Sequence, residues 1–390
     1  MLFSLPLLFA SCGNGDNALE EIIKNGGAGG SSEGSGEGGG SSTINATAIT
    51  LSQTMKVIKL GGDALTITAT VTPSDATYTW ESSDEAIATV ENGVVTPVGK
   101  GIATITAKSG DVKATCEVFV GKVVNLSTKT ENYTVAEYDI LIGALNSSNS
   151  ITIPNNCKVA FAGVTTASSI TCSGNATIIL VDGNENTVTV GEVDKAGIKI
   201  GGVGTTLTIN AETLGNGILN VTGGSYGGAG IGTGKTTSGN IVCGAITING
   251  GTVNATGGQY GAGIGTGFAN SASNTCGAIT INGGTITAKG GGDGAGVGIG
   301  CAADGFSNTC GDITITANAK SVTATKGAGL TNCIGKGGGS GAQNCGKIKF
   351  DTEEVFNGTA WSPATMVAGS YGGLNLVISG DDWTLTPVAP

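Results

Sequence analysis

Three segments of this chain are close copies of one another, and a chain built that way is constrained to fold as a stack. Residues 243–267 read CGAITINGGTVNATGGQYGAGIGTG, residues 276–300 read CGAITINGGTITAKGGGDGAGVGIG, and residues 310–329 form a looser copy, CGDITITANAKSVTATKGAG. A fourth start follows at Cys345. Cys243, Cys276, Cys310 and Cys345 are separated by 33, 34 and 35 residues. Self-similarity at such a period marks a solenoid, because one unit cannot bury its apolar face alone and does so against its neighbours.

The unit reads as a turn of short strands. In the copy at 243, Ile246 and Ile248 share one parity and Ala245, Thr247 and Asn249 the other, so the two sets point to opposite faces. After the Gly250-Gly251 corner the inward positions are Val253 and Ala255, with Thr252, Asn254 and Thr256 outward. A third piece centres on Ile264. Three strands and three Gly-rich corners in about 33 residues make the rung of a parallel β-helix, with rungs stacked about 4.8 Å apart. The stacking predicts ladders: Ile248, Ile281 and Ile315 in the core, Thr247, Thr280 and Thr314 outside, and Asn249 beside Asn282. The copies resemble the Gly-rich β-helical surface proteins of bacteria, and the resemblance implies the same fold. A calcium-binding roll would repeat Gly-Gly-x-Gly-x-Asp units; Asp293 is the one acid near the corners, so that architecture is set aside.

Composition narrows the function classes. Of 390 residues 71 are Gly, only 12% are charged, and the net charge is −11 with no His; the 18 basic residues are all Lys. A nucleic-acid ligand needs a basic stripe, and none is present.

Upstream of the repeats the chain changes character twice. Residues 1–11, MLFSLPLLFAS, are an apolar run too short to span a bilayer, and Phe9-Ala10-Ser11-Cys12 resembles the cleavage and lipidation site of a bacterial lipoprotein. That resemblance implies a signal peptide over 1–11, a lipid on Cys12, and a location in the bacterial cell envelope, lipid-anchored and surface-exposed. Residues 12–44 then read as a flexible Gly/Ser-rich tether. Over 45–121, short alternating strands are broken by turn signals every eight to twelve residues or so, as in a small β-sandwich. Thr72-Pro73-Ser74-Asp75-Ala76, Trp80-Glu81-Ser82-Ser83-Asp84, Ile87-Ala88-Thr89-Val90 and Gly101-Ile102-Ala103-Thr104-Ile105-Thr106-Ala107 resemble the bacterial Ig-like domain, group 2. That resemblance implies display at a surface and contact with glycans, while Trp80 is read as the buried aromatic that anchors the sandwich core. Residues 122–168 are expected as an N-terminal cap and linker, 169–350 as β-helix repeats and 351–390 as a C-terminal cap. The fold class is therefore all-β, an Ig-like β-sandwich followed by a right-handed parallel β-helix.

The candidate chemistry is sparse. The cysteine register allows two states, disulfides between adjacent rungs or a reduced ladder of small apolar side chains. A tetrahedral zinc site is excluded, since thiols along a line cannot surround a metal. Residues 229–236 match a permissive phosphate loop, but no helix start follows Lys235 and the neighbouring copy has Phe268 in its place. Asp182, Asn184, Glu185 and Asn186 resemble a fragment of a calcium loop without its mid-loop Gly or closing Glu, which favours a turn. No pair of acids recurs on an outward face as glycoside hydrolysis requires. The expectation is thus a non-enzymatic protein without catalytic residues, cofactor or metal. Ligand contact is assigned to Tyr226 and Tyr260 in Gly-rich corners and to outward Thr247, Asn249, Thr280 and Asn282. Rings with nearby hydroxyls and amides suit a glycan or a host surface. The membrane is met only through the anchor, and no feature of the sequence sets an oligomeric state.

Overall fold

A computed structural model describes residues 44–389. The segments assigned to the signal peptide and tether, with Cys12, lie outside the described residues apart from Ile44. Among those described, the chain is strand and turn throughout, save one 3-10 turn at Leu126–Thr128.

The sandwich uses strands that alternate in burial. Thr79–Ser82, Gly101–Ser109 and Val112–Asn125 pair antiparallel, and Met55–Lys59 joins the last of these in parallel. Leu65–Thr66, Val94–Pro97 and Ala88–Glu91 form a second sheet. Ile67, Val95, Ile105, Cys116 and Val118 fill the space between, and Trp80 is half-buried against them.

Val112–Asn125 runs on for 14 residues, longer than the sandwich requires. Its last four residues pair in parallel with Asp139–Ala144, so one strand belongs to both the sandwich and the stack. Residues 122–168, expected as an N-terminal cap with a first irregular rung, carry parallel rung strands: Asp139–Ala144 pairs with Cys157–Thr166 across a register shift between Leu141 and Gly143, and that strand pairs with Ala176–Leu180. The Thr, Asn and Ser that made this stretch read as irregular lie largely at corners and outward positions. Leu141, Ile151, Ile153, Val159 and Phe161 between them are fully buried. The sandwich thereby covers the first rungs, whose open edge would otherwise present unpaired N–H and C=O groups.

The rungs from Ile241 onward have four faces, one more than the three expected. The first continues through Thr206–Ala211, Ala245–Ile248, Ile279–Ile281, Ile313–Ile315 and Ile348–Phe350, all parallel. The second runs from Glu185–Thr189 through Ile218–Thr222, Thr252–Thr256 and Gly284–Lys289 to Ala319–Thr325. The third ends in two-residue strands such as Ile264–Gly265 and Val297–Gly298. The fourth, Ile241–Val242, Asn274–Cys276, Ser307–Cys310 and Ala342–Cys345, carries the cysteines. Its strands read as loop because their inward residues are Asn and Cys instead of aliphatics.

Ile248, Ile281 and Ile315 stand in register with no exposure, and burying each is worth about 1.5–3 kcal/mol. Gly232, Gly265 and Gly298 form a second ladder with φ of 139°, 136° and 130°. A Cβ at any of them would run into the carbonyl of the glycine-bearing strand in the next rung, so the rungs approach here only because no side chain intervenes. At the C-terminal end the strands turn antiparallel: Asp382–Pro387 pairs with Ala319–Thr325, and Glu353–Phe356 with Ile348–Phe350.

Candidate functional site

The six residues assigned to ligand contact fall in two places. Thr247 and Thr280 are in register on the outside of the first face, half-buried. Asn249 and Asn282 occupy the corner that follows, where Asn249 Nδ2 donates to Asn210 Oδ1 at 2.8 Å and Asn282 Nδ2 to Asn249 Oδ1 at 3.0 Å. Asn210, in the degenerate earlier copy Leu207-Thr208-Ile209-Asn210, stands in the same ladder. Tyr226 and Tyr260 sit at the next corner, beyond the second face. A five-residue strand such as Thr252–Thr256, about 17 Å long, separates the two groups.

At the tyrosine corner the rungs bring five side chains together. The Tyr226 and Tyr260 rings meet edge to face with centroids 4.9 Å apart, and Phe268 stacks on Tyr260 at 4.7 Å. Lys235 places Nζ 4.7 Å from the Tyr226 centroid and 3.6 Å from an Asp194 carboxylate oxygen. Backbone hydrogen bonds fix the register: Tyr260 N donates to Tyr226 O, and Tyr226 N to Val193 O. The rings therefore pack on one another rather than merely over corner glycines. Tyr226 remains 38% exposed and Val193 55% exposed, so the corner shows water an aromatic and aliphatic strip flanked by a cation. Phe268 and Lys235 were visible in the sequence as the residues differing between copies; their partners were not.

Lys235 thus completes this corner and opens no helix. Thr236 beside it is buried, with its hydroxyl donating to Ala272 O and accepting from the backbone N–H of Asn270 and Ser271. The Asp182 group is likewise spent on the fold. Asp182 accepts from Leu214 N and Asn216 N, Asn186 Oδ1 from Gly163 N and Val164 N, and Glu185 from Asn220 Nδ2.

The nine described cysteines are free and buried. Cys276 pairs in register with Cys310, and Cys310 with Cys345. Hydrogen-bonded contact with the Cys243 and Cys310 thiols that favours the protonated form, together with burial, holds the Cys276 thiol well above its ordinary pKa. Burial pushes Cys172 up to about 12 and Cys301 to about 11. A thiol kept protonated is a poor nucleophile and a poor metal ligand, so the ladder acts here as core. Among the described residues no three Cys, Asp or Glu side chains gather as a metal site, and no helix is long and apolar enough to cross a membrane.

Fold and site together define a bacterial Ig-like module fused to a parallel β-helix. Residues 45–119 match the bacterial Ig-like domain (group 2), and residues 246–268 and 279–303 match the beta helix repeat. An alignment 149 residues long, covering 36% of the chain, is 34% identical to an alpha-L-arabinofuranosidase of Bifidobacterium longum subsp. longum. The chain spans 13% of that relative's length.

Proposed function

We propose that the protein is a non-enzymatic cell-surface protein that binds carbohydrate or a host surface through its β-helix. The observation that carries this reading is the tyrosine corner, where an exposed ring on a rigid backbone stands beside a lysine. An aromatic face takes the C–H face of a sugar while neighbouring hydroxyl and ammonium groups take its oxygens. A lipid on Cys12 and the tether would hold this surface away from the envelope. The acids support a binding role over a hydrolytic one, since Asp182, Glu185 and Glu212 are engaged in hydrogen bonds that hold rungs and modules together.

The test is a glycan array with the full chain and the Tyr226→Ala and Tyr260→Ala variants. Binding by the parent and loss in both variants, with unchanged thermal unfolding, is the expected result; no binding to any glycan by the folded parent removes the carbohydrate assignment. A Cys12→Ser variant that still partitions with the envelope would remove the lipid anchor. The arabinofuranosidase relative motivates a second reading, a carbohydrate-active enzyme, which release of reducing sugar from arabinose-containing polysaccharides would establish. A third, a spacer with no ligand, requires that adhesion be unaffected by either tyrosine change.

A further inference from the structure

One outward row of the first face changes chemistry along the stack. In register it runs Val123, Ile140, Ala160, Ile179 and Asn210, and continues through the amide hydrogen bonds to Asn249 and Asn282. Ile140, Ala160 and Ile179 pack with Phe119 against Met55, Val57 and Ile102 of the sandwich. Where that cover ends, the row becomes amide.

Next to this edge lies a groove of about 340 Å³, bounded by Thr54 of the sandwich, the 212–215 loop and the corners of adjacent rungs. Its floor is Gly250, Gly251, Gly283 and Gly284. Gly250 is not in the left-handed region, and the nearest atom to a Cβ built there is Ala211 Cβ at 3.3 Å. Its missing side chain leaves the groove open more than it serves the turn.

Three chemistries line this space. Asn249 and Asn282 each retain an N–H beyond the ladder bond, and Asn282 Oδ1 has no amide to accept from, because Thr316 holds the equivalent place in the next copy. Leu214 is 65% exposed, yet its loop is pinned: Leu214 N and Asn216 N donate to Asp182 at 3.0 and 3.2 Å, and Thr213 Oγ1 accepts from Thr54 N at 2.9 Å. Lys320 is exposed, with Nζ 3.9 Å from where a Cβ on Gly215 would stand, and it enters none of the ion pairs among the described residues. The one acid lining the groove, Glu212, has its carboxylate committed to Lys56 Nζ and to Val57 N and Asp182 N.

We infer that this groove between the Ig-like module and the β-helix is a binding site for an anionic oligosaccharide. The carboxylate or sulfate group meets Lys320, ring hydroxyls meet the Asn249 and Asn282 amides, and the C–H face of a sugar lies on Leu214. Polar groups converging on a preformed cleft at a module junction are the usual setting of a ligand site. The inference shares with the preceding reading the glycan class and the Asn249 and Asn282 corner, and uses none of the tyrosine-corner residues.

The test is calorimetric titration of the full chain with three trisaccharides of equal length, one uronic, one sulfated and one neutral, at low salt and at 0.5 M salt. The expected result is binding of at least one anionic probe, weakened by salt, with the neutral probe at least tenfold weaker. Lys320→Met should lose at least tenfold, about 1.4 kcal/mol, and Leu214→Ser should weaken the same probe. Val203→Ser, an exposed change away from both places, should leave it unaltered. Which anionic probe binds distinguishes carboxylate from sulfate. Failure of both, equal binding of the neutral probe, or full affinity in Lys320→Met overturns the assignment. Neutral-glycan binding lost in Tyr226→Ala reports on the tyrosine corner and leaves this outcome untouched.

Discussion

Replacing Glu212 with Ala should uncouple the two modules more than any other single surface-loop change. Its side chain is fully buried, with the carboxylate 2.8 Å from Lys56 Nζ, 2.6 Å from Val57 N and 2.8 Å from Asp182 N. Two of these partners belong to the sandwich and one to the preceding rung, so one carboxylate ties three segments. Removing it leaves two backbone N–H groups without their acceptor, at about 1–3 kcal/mol each if water cannot reach them. Lys56 is 28% exposed on its side chain and recovers part of its solvation, so the total is set at about 3–5 kcal/mol, the range for breaking a buried pair. Urea unfolding of the parent and of Glu212→Ala measures the difference. A cycle with Lys56→Met isolates the pair, and a coupling of at least about 1 kcal/mol is expected for groups in direct contact. Hydrogen exchange should show the Val57 amide losing protection before the rung amides do. A loss below about 1 kcal/mol, or a Val57 amide as protected as in the parent, would refute the claim that this carboxylate locks the junction.

Three further outcomes follow from the stack. Ile281→Ala removes the middle member of a fully buried ladder and should cost about 2–5 kcal/mol in urea unfolding, whereas Thr280→Ala next to it should cost well under that. Gly265→Ala places a Cβ against the next rung at a φ of 136° and should cost at least about 2 kcal/mol; Gly239→Ala, at φ 67° with open space around it, should pay only about 1–2 kcal/mol of backbone strain. Stability should also fall above pH 9. The Cys172 thiol is raised from 9.0 to about 12, so between those values the folded state holds a proton that the unfolded chain has released. Stability then declines with rising pH by up to about 1.4 kcal/mol per unit for that group; Cys172→Val should make the decline shallower, and an unchanged slope would contradict the assignment.

The rungs were legible because a strand's period of two and a repeat near 34 residues are both written in the order of residues. Ile248, Ile281 and Ile315 could be placed in one ladder, and Asn249 beside Asn282, from spacing alone. The sandwich was legible for the same reason, its turn signals falling at strand spacing. The fourth face escaped because Asn274 and Cys276 carry no aliphatic pattern, although both are buried. The first rungs were legible only as a cap with one irregular rung, because Thr and Asn at corners resemble linker composition, while the aliphatics between them lack the clear copies' spacing.

The sequence by itself therefore determined the all-β class, the Ig-like module and the stacking register, since these depend on local alternation repeated many times. Only the tertiary structure decided what lies beside what across the register. It shows Val112–Asn125 serving both modules, Lys235 lying over Tyr226, and Glu212 holding Lys56 from 156 residues away. Such contacts join residues that share no period. They are fixed by how the corners turn and where the sandwich ends, and that same edge is where an outward row of Ile and Ala becomes a row of Asn.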